Sequence, residues 1–538
     1  MADSTQADWD FIIVGGGAAG CVLANRLSAD PTVRVLLLEA GQSDATIASL
    51  VPAAIGFVIG SKTRNWNYQS LPDRSRANRT ELWPAGRMLG GGSSLNGMMF
   101  VRGHRWDYDH WRELGNVGWG YEDVLPYFKR IEDNERGADE YRGTGGPMSV
   151  SDVRVPDVLT DAFVAGMQEI GVERNYDLNG ADAEGVDYCQ VNQRRGLRHS
   201  TSRAYLSPAN RRRNLKVMTG ATVRRVLFEG PVAKQVEFLH RGNLESATAR
   251  RGIVVACGAI ASPKLLLQSG VGDAAALQKL GIDVVADRKG VGKNLQEHPG
   301  IVISAHVNRR TLTSDRNPFR AILHGLNYVF RGRGPLSNPV GHAQAFVRTR
   351  SGLQAPNVQI IFSPFSYDHH EGSATPYTKP AINLAVGLCR VASRGEIRLA
   401  SADPDDQPLI DYALLDDADD VQQMMEGVRF ARRLYKSNTF GQYFKDERKP
   451  GIEVAGDADL ETSIREESFL MYHPCGTCKM GADDAAVVDA NLRVHGVQNL
   501  WVADASIFPT IPAGNINATS IMVGEKASDL IIADGGRR

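Results

Sequence analysis

Short aliphatic runs punctuated by glycine mark both ends of the chain. Residues 10–14 (DFIIV) form an apolar run long enough for a buried strand, and glycines follow at 15–17. AAGCVLANRLSAD then has helical spacing with small residues at its start, and VRVLLLEAG (33–41) is a second run of continuous aliphatics. Unbroken runs of this kind suit parallel strands covered on both faces. They predict a strand–turn–helix–strand unit of about thirty residues, the length a right-handed parallel crossover requires. Residues 215–228 (LKVMTGATVRRVLF) and 253–256 (IVVA) are strand-like, and 380–400 alternate as an antiparallel sheet does. VQQMMEGVRFARRLYKS has helical spacing, LWVADAS predicts a strand and IMVGEKASDLIIAD a helix. The polar, Gly-rich stretch 134–146 predicts a loop. Parallel character at both ends, with an antiparallel stretch between, predicts one domain assembled from separated segments and interrupted by a second.

The first turn carries chemistry. Gly15, Gly17 and Gly20 occupy the G-x-G-x-x-G positions. Gly15 permits the tight turn, Gly17 lets a pyrophosphate approach backbone N–H groups, and Gly20 lets the helix pack closely on the sheet. The helix N-terminus adds partial positive charge. Glu39 ends the next strand, where a carboxylate accepts hydrogen bonds from a ribose diol. The turn predicts a dinucleotide and leaves NAD and FAD both open.

Composition narrows the partners. The 538 residues hold 61 Lys plus Arg and 62 Asp plus Glu, a balance that gives no electrostatic reason to expect nucleic acid. The basic run Arg211–Arg213 reads as a solvated turn. The polar, acidic start MADSTQADWD lacks the features of a secretory signal. No apolar run reaches 18 residues, so no transmembrane segment is expected, while peripheral association with a membrane stays open. Six cysteines are too few for a disulfide scaffold in a chain this long. A cytoplasmic location fits these features.

A second glycine cluster, GRMLGGGSSLNG at 86–97, offers many backbone donors and little bulk, as a loop lying against an isoalloxazine would. With Phe100, Gly103 and Asp109 it resembles the first signature of the glucose–methanol–choline (GMC) oxidoreductase family. GAIASPKLLLQSGVG (258–272) resembles the second signature, and GVGKNLQEHP (290–299) and Tyr472–Asn517 resemble further family segments. The likeness covers essentially the whole chain, in the manner of a bacterial alcohol or choline dehydrogenase.

This resemblance implies FAD in the Gly15–Gly20 turn. It implies an α/β fold, α+β overall, with a Rossmann-like FAD-binding domain (1–155, 206–305 and 461–538) interleaved with a substrate domain on an antiparallel sheet (156–205 and 306–460). It places Gly90, Ser94, Asn96, Gly97 and Met98 by the cofactor, Val223 at the adenine through its backbone, Asp504 near the pyrophosphate or ribityl chain, and Asn517 at the flavin. Some members attach FAD through a histidine in the second cluster. Leu95 stands there in this chain, which implies non-covalent FAD.

Alcohol oxidation needs a base for the hydroxyl proton and a partner for the oxygen as charge develops. His473 in MYHPCGTCKMG and Asn515 in PAGNINATSIM match the family's catalytic positions, and the hydride then passes to flavin N5. Cys475 and Cys478 have C-x-x-C spacing, which suits zinc or a redox dithiol, but no second pair completes a zinc site. His369–His370 read as a loop pair, and Trp106, Tyr108 and Trp111, flanked by His104 and His110, as packing. His342 is expected in the substrate pocket with Phe365 and Tyr472. Choline-oxidising relatives carry a pocket glutamate near this position; its absence here counts against choline. The expected activity is oxidation of a small primary alcohol, polyol or aldehyde hydrate, with oxygen or a quinone-like acceptor. The alternatives are a cyanohydrin-type lyase, a flavin photodecarboxylase, or a flavin-binding protein without catalysis.

Overall fold

A computed structural model describes residues 8–155, 157–314, 318–370 and 373–535. Along the chain, β1 (Trp9–Val14), α1 (Ala18–Leu27) and β2 (Val35–Glu39) are followed by α2 (Arg105–Glu113), α3 (Val158–Glu169) and β3 (Gly185–Tyr188). Then come β4 (Leu215–Thr219), β5 (Ala221–Glu229), β6 (Val232–His240), β7 (Asn243–Val255), α4 (Gly258–Gln268) and β8 (Pro299–Val307). Next are α5 (Pro318–Arg331), β9 (Ala343–Val347), β10 (Val358–Ser363), β11 (Ala381–Leu388) and α6 (Ala418–Arg432). β12 (Phe444–Lys449), β13 (Phe469–Leu470), β14 (Leu500–Val502) and α7 (Asn517–Gly535) complete the frame.

The first sheet runs β4-β2-β1-β7-β6-β5, with β14 beside β7. β4, β2, β1, the end of β7 and β14 pair in parallel. Every residue of β2 is buried, as strands covered on both faces must be. Residues 215–228 are not one strand. Gly220, at φ +68°, turns the chain out of parallel β4 into β5, which opens an antiparallel meander with β6 and β7. The alternation of VAKQVEFLH in β6 is the signal for that meander.

The second sheet runs β12-β8-β11-β10-β9-β3, with β13 beside β8, and is antiparallel throughout. Residues on each strand alternate between two different worlds. Val358, Ile360 and Phe362 of β10 join Ile382, Leu384 and Val386 of β11 in the large aliphatic core under α3 and α6. The opposite face of the same strands carries Gln359, Ile361, Gly387, Ala385 and, from β8, Gly300. This face looks toward the second glycine cluster, where Ile361 packs with Met98 and Met99.

β8 belongs to the second sheet, where Gly300–His306 pair with β11. In the stretch 380–400 only β11 is part of this sheet; Glu396–Arg398 leaves it to pair with Leu409–Asp411.

Candidate active site

The glycine turn after β1 is shaped by backbone crowding. A Cβ on Gly15 (φ +100°) would lie 2.5 Å from Ala256 O, and one on Gly20 would lie 1.9 Å from Gly15 O. At Gly17 the nearest atom is 3.7 Å away, so space stays open over the turn. Helix α1 begins without a side-chain cap, which leaves first-turn N–H groups facing that space. Glu39 is buried and clamped: its Oε2 accepts from Gly16 N at 2.8 Å and its Oε1 from Gly41 N at 2.7 Å. Burial pushes this carboxyl up, and the two amides oppose the push.

The second glycine cluster packs directly on the first. Gly90 N donates to Gly16 O at 2.7 Å, and a Cβ on Gly91 (φ +49°) would meet Gly17 Cα at 2.9 Å. Ser94 Oγ donates to Leu89 O at 2.8 Å within the loop. Asn96 Oδ1 accepts from Met98 N at 3.0 Å and from Arg198 at 2.7 Å. Arg198 is buried, and that desolvation pushes its guanidinium down to about 9. Met98 takes φ +65°, and Gly97 leaves just enough room for Val340. Leu95 turns away, packing with Val58 and Met88. At the same end of the first sheet, Asp504 accepts from Gly258 N (2.8 Å), Ser262 Oγ (2.5 Å) and Ser506 N (2.7 Å). Val223 lies on the outermost strand, just before a break in its register with β6. Asn517 opens α7, whose Gly524 permits close crossing with α1 at Ala19 and Val22. An open glycine floor, an uncapped helix start and a clamped carboxylate fit the ADP half of FAD, and the second cluster packs against that floor.

His473 lies beyond this floor. Its Nε2 is 3.0 Å from Asn515 Nδ2, and its Nδ1 is 3.0 Å from His298 Nδ1. His298 Nε2 is 3.1 Å from Cys389 O. A carbonyl only accepts, so His298 carries its proton on Nε2 and offers a lone pair at Nδ1. His473 therefore donates from Nδ1 and keeps its Nε2 lone pair, which faces Asn515. The chain of bonds selects one tautomer of His473. Burial, and then the neighbouring His298, hold His473 well below the usual imidazole value, and burial pushes His298 down to about 4. Both rings are neutral at pH 7. Behind them, Glu297 accepts from His473 N (2.7 and 2.8 Å) and His298 N (2.8 Å), tying the two segments together. Gln359 Nε2 approaches Asn515 Oδ1 at 3.5 Å, which orients the asparagine amide toward His473.

Comparison with known proteins matches residues 9–300 and 391–524 to the two models of the GMC oxidoreductase family. The chain is 40% identical over 526 residues to an oxygen-dependent choline dehydrogenase of Brucella anthropi, covering 97% of this chain and 95% of the relative.

The chain belongs to the GMC oxidoreductase family.

It is an FAD-dependent enzyme that oxidises CH–OH donors. It is also 39% identical over 532 residues to an alcohol dehydrogenase (acceptor) of Pseudomonas putida, covering 97% of this chain and 96% of that one. Among solved structures, pyridoxine 4-oxidase from Mesorbium loti superposes with a TM-score of 0.88 at 31% identity, over 97% of this chain and 99% of that one. A formate oxidase superposes with a TM-score of 0.92 at 26% identity, over 99% and 100%.

In this GMC oxidoreductase a buried carboxylate holds both halves of the site. Asp107 on α2 accepts from Ala513 N at 2.9 Å, two residues before Asn515. Its other oxygen pairs with Arg390 at 2.7 Å, next to the Cys389 carbonyl that orients His298. Gln296 adds a second tie: its side chain accepts from Ile511 N (3.1 Å) and donates to Pro509 O (3.1 Å), while its backbone pairs with Cys475.

His298, Glu297, Asp107, Arg390 and Gln296 were not expected from sequence. Three of them lie in the family-like segment 290–299, but no local rule marks a histidine 175 positions away as the partner of His473. The structure does not bring His342 to the pair. Its ring donates to Asn338 Oδ1, approaches Thr160 Oγ1 at 3.4 Å, and is pushed down to about 3 by burial. Phe365 packs beside it, at 6.3 Å between ring centres. Tyr472 takes φ +63°, which sends its ring to the Tyr68, Trp83 and Tyr412 cluster, while Met471 turns toward Gly300 and Gly387. Cys475 and Cys478 are free, buried thiols pushed up by burial. His369 and His370 lie on the strand Tyr367–His370, and their side chains fall outside the described part.

Proposed function

We propose that this enzyme oxidises a primary alcohol with an apolar chain to its aldehyde, with His473 as base and Asn515 as the partner of the alcohol oxygen. The observation that carries this is the single tautomer of His473, which aims an Nε2 lone pair at Asn515. The hydroxyl proton goes to Nε2, and the Asn515 amide donates to the oxygen as negative charge develops. The imidazolium formed keeps its Nδ1–H bond to the neutral His298, which strengthens as the ring gains charge. Bound FAD supplies the two-electron acceptor for the hydride that leaves the carbinol carbon.

The chain class follows from the walls. Met98, Met99, Ile361, Ala385 and Met471 group on the side of the second sheet that faces the pair. Glycines at 300 and 387 make room for Met471, whose sulfur would collide with a Cβ at 387. No carboxylate stands among these residues to pair with a quaternary ammonium, and Glu297 is occupied by backbone amides.

The test is anaerobic mixing of the yellow enzyme with straight-chain primary alcohols, polyols, aldehydes and choline, following flavin absorbance. Alkanols are expected to bleach it faster than choline or polyols do. Faster bleaching by choline overturns the chain class, and no bleaching by any alcohol overturns the base assignment. Reoxidation of the reduced enzyme by oxygen or by a quinone then identifies the acceptor.

A further inference from the structure

Helix α5 leaves an apolar stripe uncovered. Ile322, Leu323, Leu326, Val329 and Phe330 recur at spacings of three and four, the stripe by which a surface helix normally packs on its core. Here that stripe faces outward: Val329 is 74% exposed and Phe330 80%. Among its described residues only Gly325, Asn327 and Tyr328 are half-buried, while Arg320, His324 and Arg331 are exposed as well. Tyr328 Oη donates to Gly196 O at 3.2 Å, and Asn327 Nδ2 to Arg333 O at 3.1 Å. Two further large apolar residues, Ile47 (80%) and Phe57 (81%), are exposed on the neighbouring segment, whose Pro52–Ala54 turn packs against Pro335–Ser337. Exposed large apolar residues grouped in this way mark an interaction surface.

Charge says what covers it. From 318 to 336 the chain contains three arginines and a histidine and no acidic residue. Beside the exposed face, a cleft of about 510 Å³ is lined by Arg154, Arg195, Arg331 and Arg333 together with Val329 and Phe330. Arg154 also pairs with Glu135, and no carboxylate lines the cleft. Guanidinium groups beside exposed aliphatic and aromatic side chains match a phosphate next to an acyl chain. We propose that α5 and the Phe57 segment dock in the plane of a bilayer that carries anionic phospholipids, with the arginine cleft receiving a headgroup phosphate. The helix has 14 residues, and no helix among the described residues is long and apolar enough to cross a membrane, so it lies along the interface. A second copy fits less well, because a two-fold contact brings the arginine cleft toward its own image.

Beyond α5 the chain runs through Ser337, whose carbonyl accepts from Gln193 at 2.7 Å, to Val340 against Gly97. The segment that follows α5 therefore links the docking face to the second glycine cluster.

The test is flotation of the FAD-loaded enzyme with vesicles of phosphatidylcholine alone or mixed with phosphatidylglycerol. Wild type is expected to float with the mixed vesicles, less so in high salt, and to stay in solution with phosphatidylcholine alone. Ile322→Asp combined with Phe330→Asp is expected to abolish flotation. Arg331→Glu combined with Arg333→Glu is expected to cost about tenfold in binding to the mixed vesicles. Retained yellow colour and turnover of a soluble alcohol report that each variant is folded. Leu326→Cys, labelled with an environment-sensitive dye, gives an independent readout: its emission shifts to the blue on mixed vesicles. Wild type left in solution, or an unshifted dye, overturns the proposal. Sedimentation as a dimer that Ile322→Asp with Phe330→Asp converts to a monomer, without vesicle binding, assigns the face to a second copy and also overturns it.

Discussion

His298 and His473 meet through their Nδ1 atoms at 3.0 Å, and the Cys389 carbonyl on the far side of His298 decides which of the two donates. With His473 as the proposed base, His298 is a positioning residue that acts through it. Replacing it with Ala leaves His473 free to swap tautomers, and its Nε2 is then protonated part of the time. His298→Ala is expected to lower kcat by about tenfold or more while FAD stays bound. His298→Asn, which offers an acceptor, should recover part of the rate. Flavin reduction by stopped-flow, read as kcat against KM, checks this: a loss confined to KM removes His298 from the chain of bonds.

His473→Ala should retain the yellow colour and lose about 10²–10⁴ in turnover. Asn515→Ala should lose about 10²–10³, the cost of removing one donor to a developing oxyanion. Because both act on one oxygen, the double variant should be little worse than His473→Ala. Rates that multiply in full would show that the two groups act separately.

Buried histidines should set the acid limit of both activity and stability. His473 is neutral until well below pH 6.5, so kcat/KM for a non-ionising alcohol should stay flat through neutrality and fall only in acid. His298 and His199 are pushed down to about 4, and His342 to about 3. Unfolded histidines bind protons near pH 6.5, so between there and pH 4 the unfolded chain holds more protons than the folded one. Their stability is therefore full above pH 6.5 and is lost as the pH falls toward 4, each ring contributing on the order of 3 kcal/mol. Thermal melts from pH 8 to pH 4 should show Tm falling below pH 6.5. A Tm that rises over that interval contradicts this.

Asp107 carries the tie between the Asn515 loop and the Cys389 carbonyl. Its side chain is buried, so Asp107→Asn removes the charge that faces the partly exposed Arg390 and weakens the bonds to the His104 and Ala513 amides. Weakening charge-assisted bonds to a buried carboxylate costs roughly 1–3 kcal/mol. A marked drop in Tm is expected, together with a lower kcat at unchanged flavin content. Unaltered kcat in a folded variant would limit Asp107 to stability.

Leu95 offers no nucleophile and is packed with Val58 and Met88. Acid precipitation should release all the flavin into the supernatant, and colour retained in the pellet would show a covalent link elsewhere.

Some of this protein was determined by sequence alone. The Gly15–Gly20 turn, the run of Val35–Glu39 and the helix ending the chain are set by local rules: glycine where a Cβ would strike backbone, and unbroken aliphatics where both faces of a strand are covered. The second glycine cluster, His473 and Asn515 were legible because short segments around them carry the family pattern. Only the tertiary structure decided the rest. The split at Gly220 depends on one backbone angle inside a run that looks continuous. The ring of His342 is engaged by Asn338 and Thr160, partners that no local pattern around it announces. The outward face of α5 has the same spacing a buried face would have, so periodicity gives the stripe and not its direction. His298 stands 175 residues from its partner. Hydrogen-bond partners at that range are selected by how two sheets pack, and it is this packing that gives His473 its tautomer.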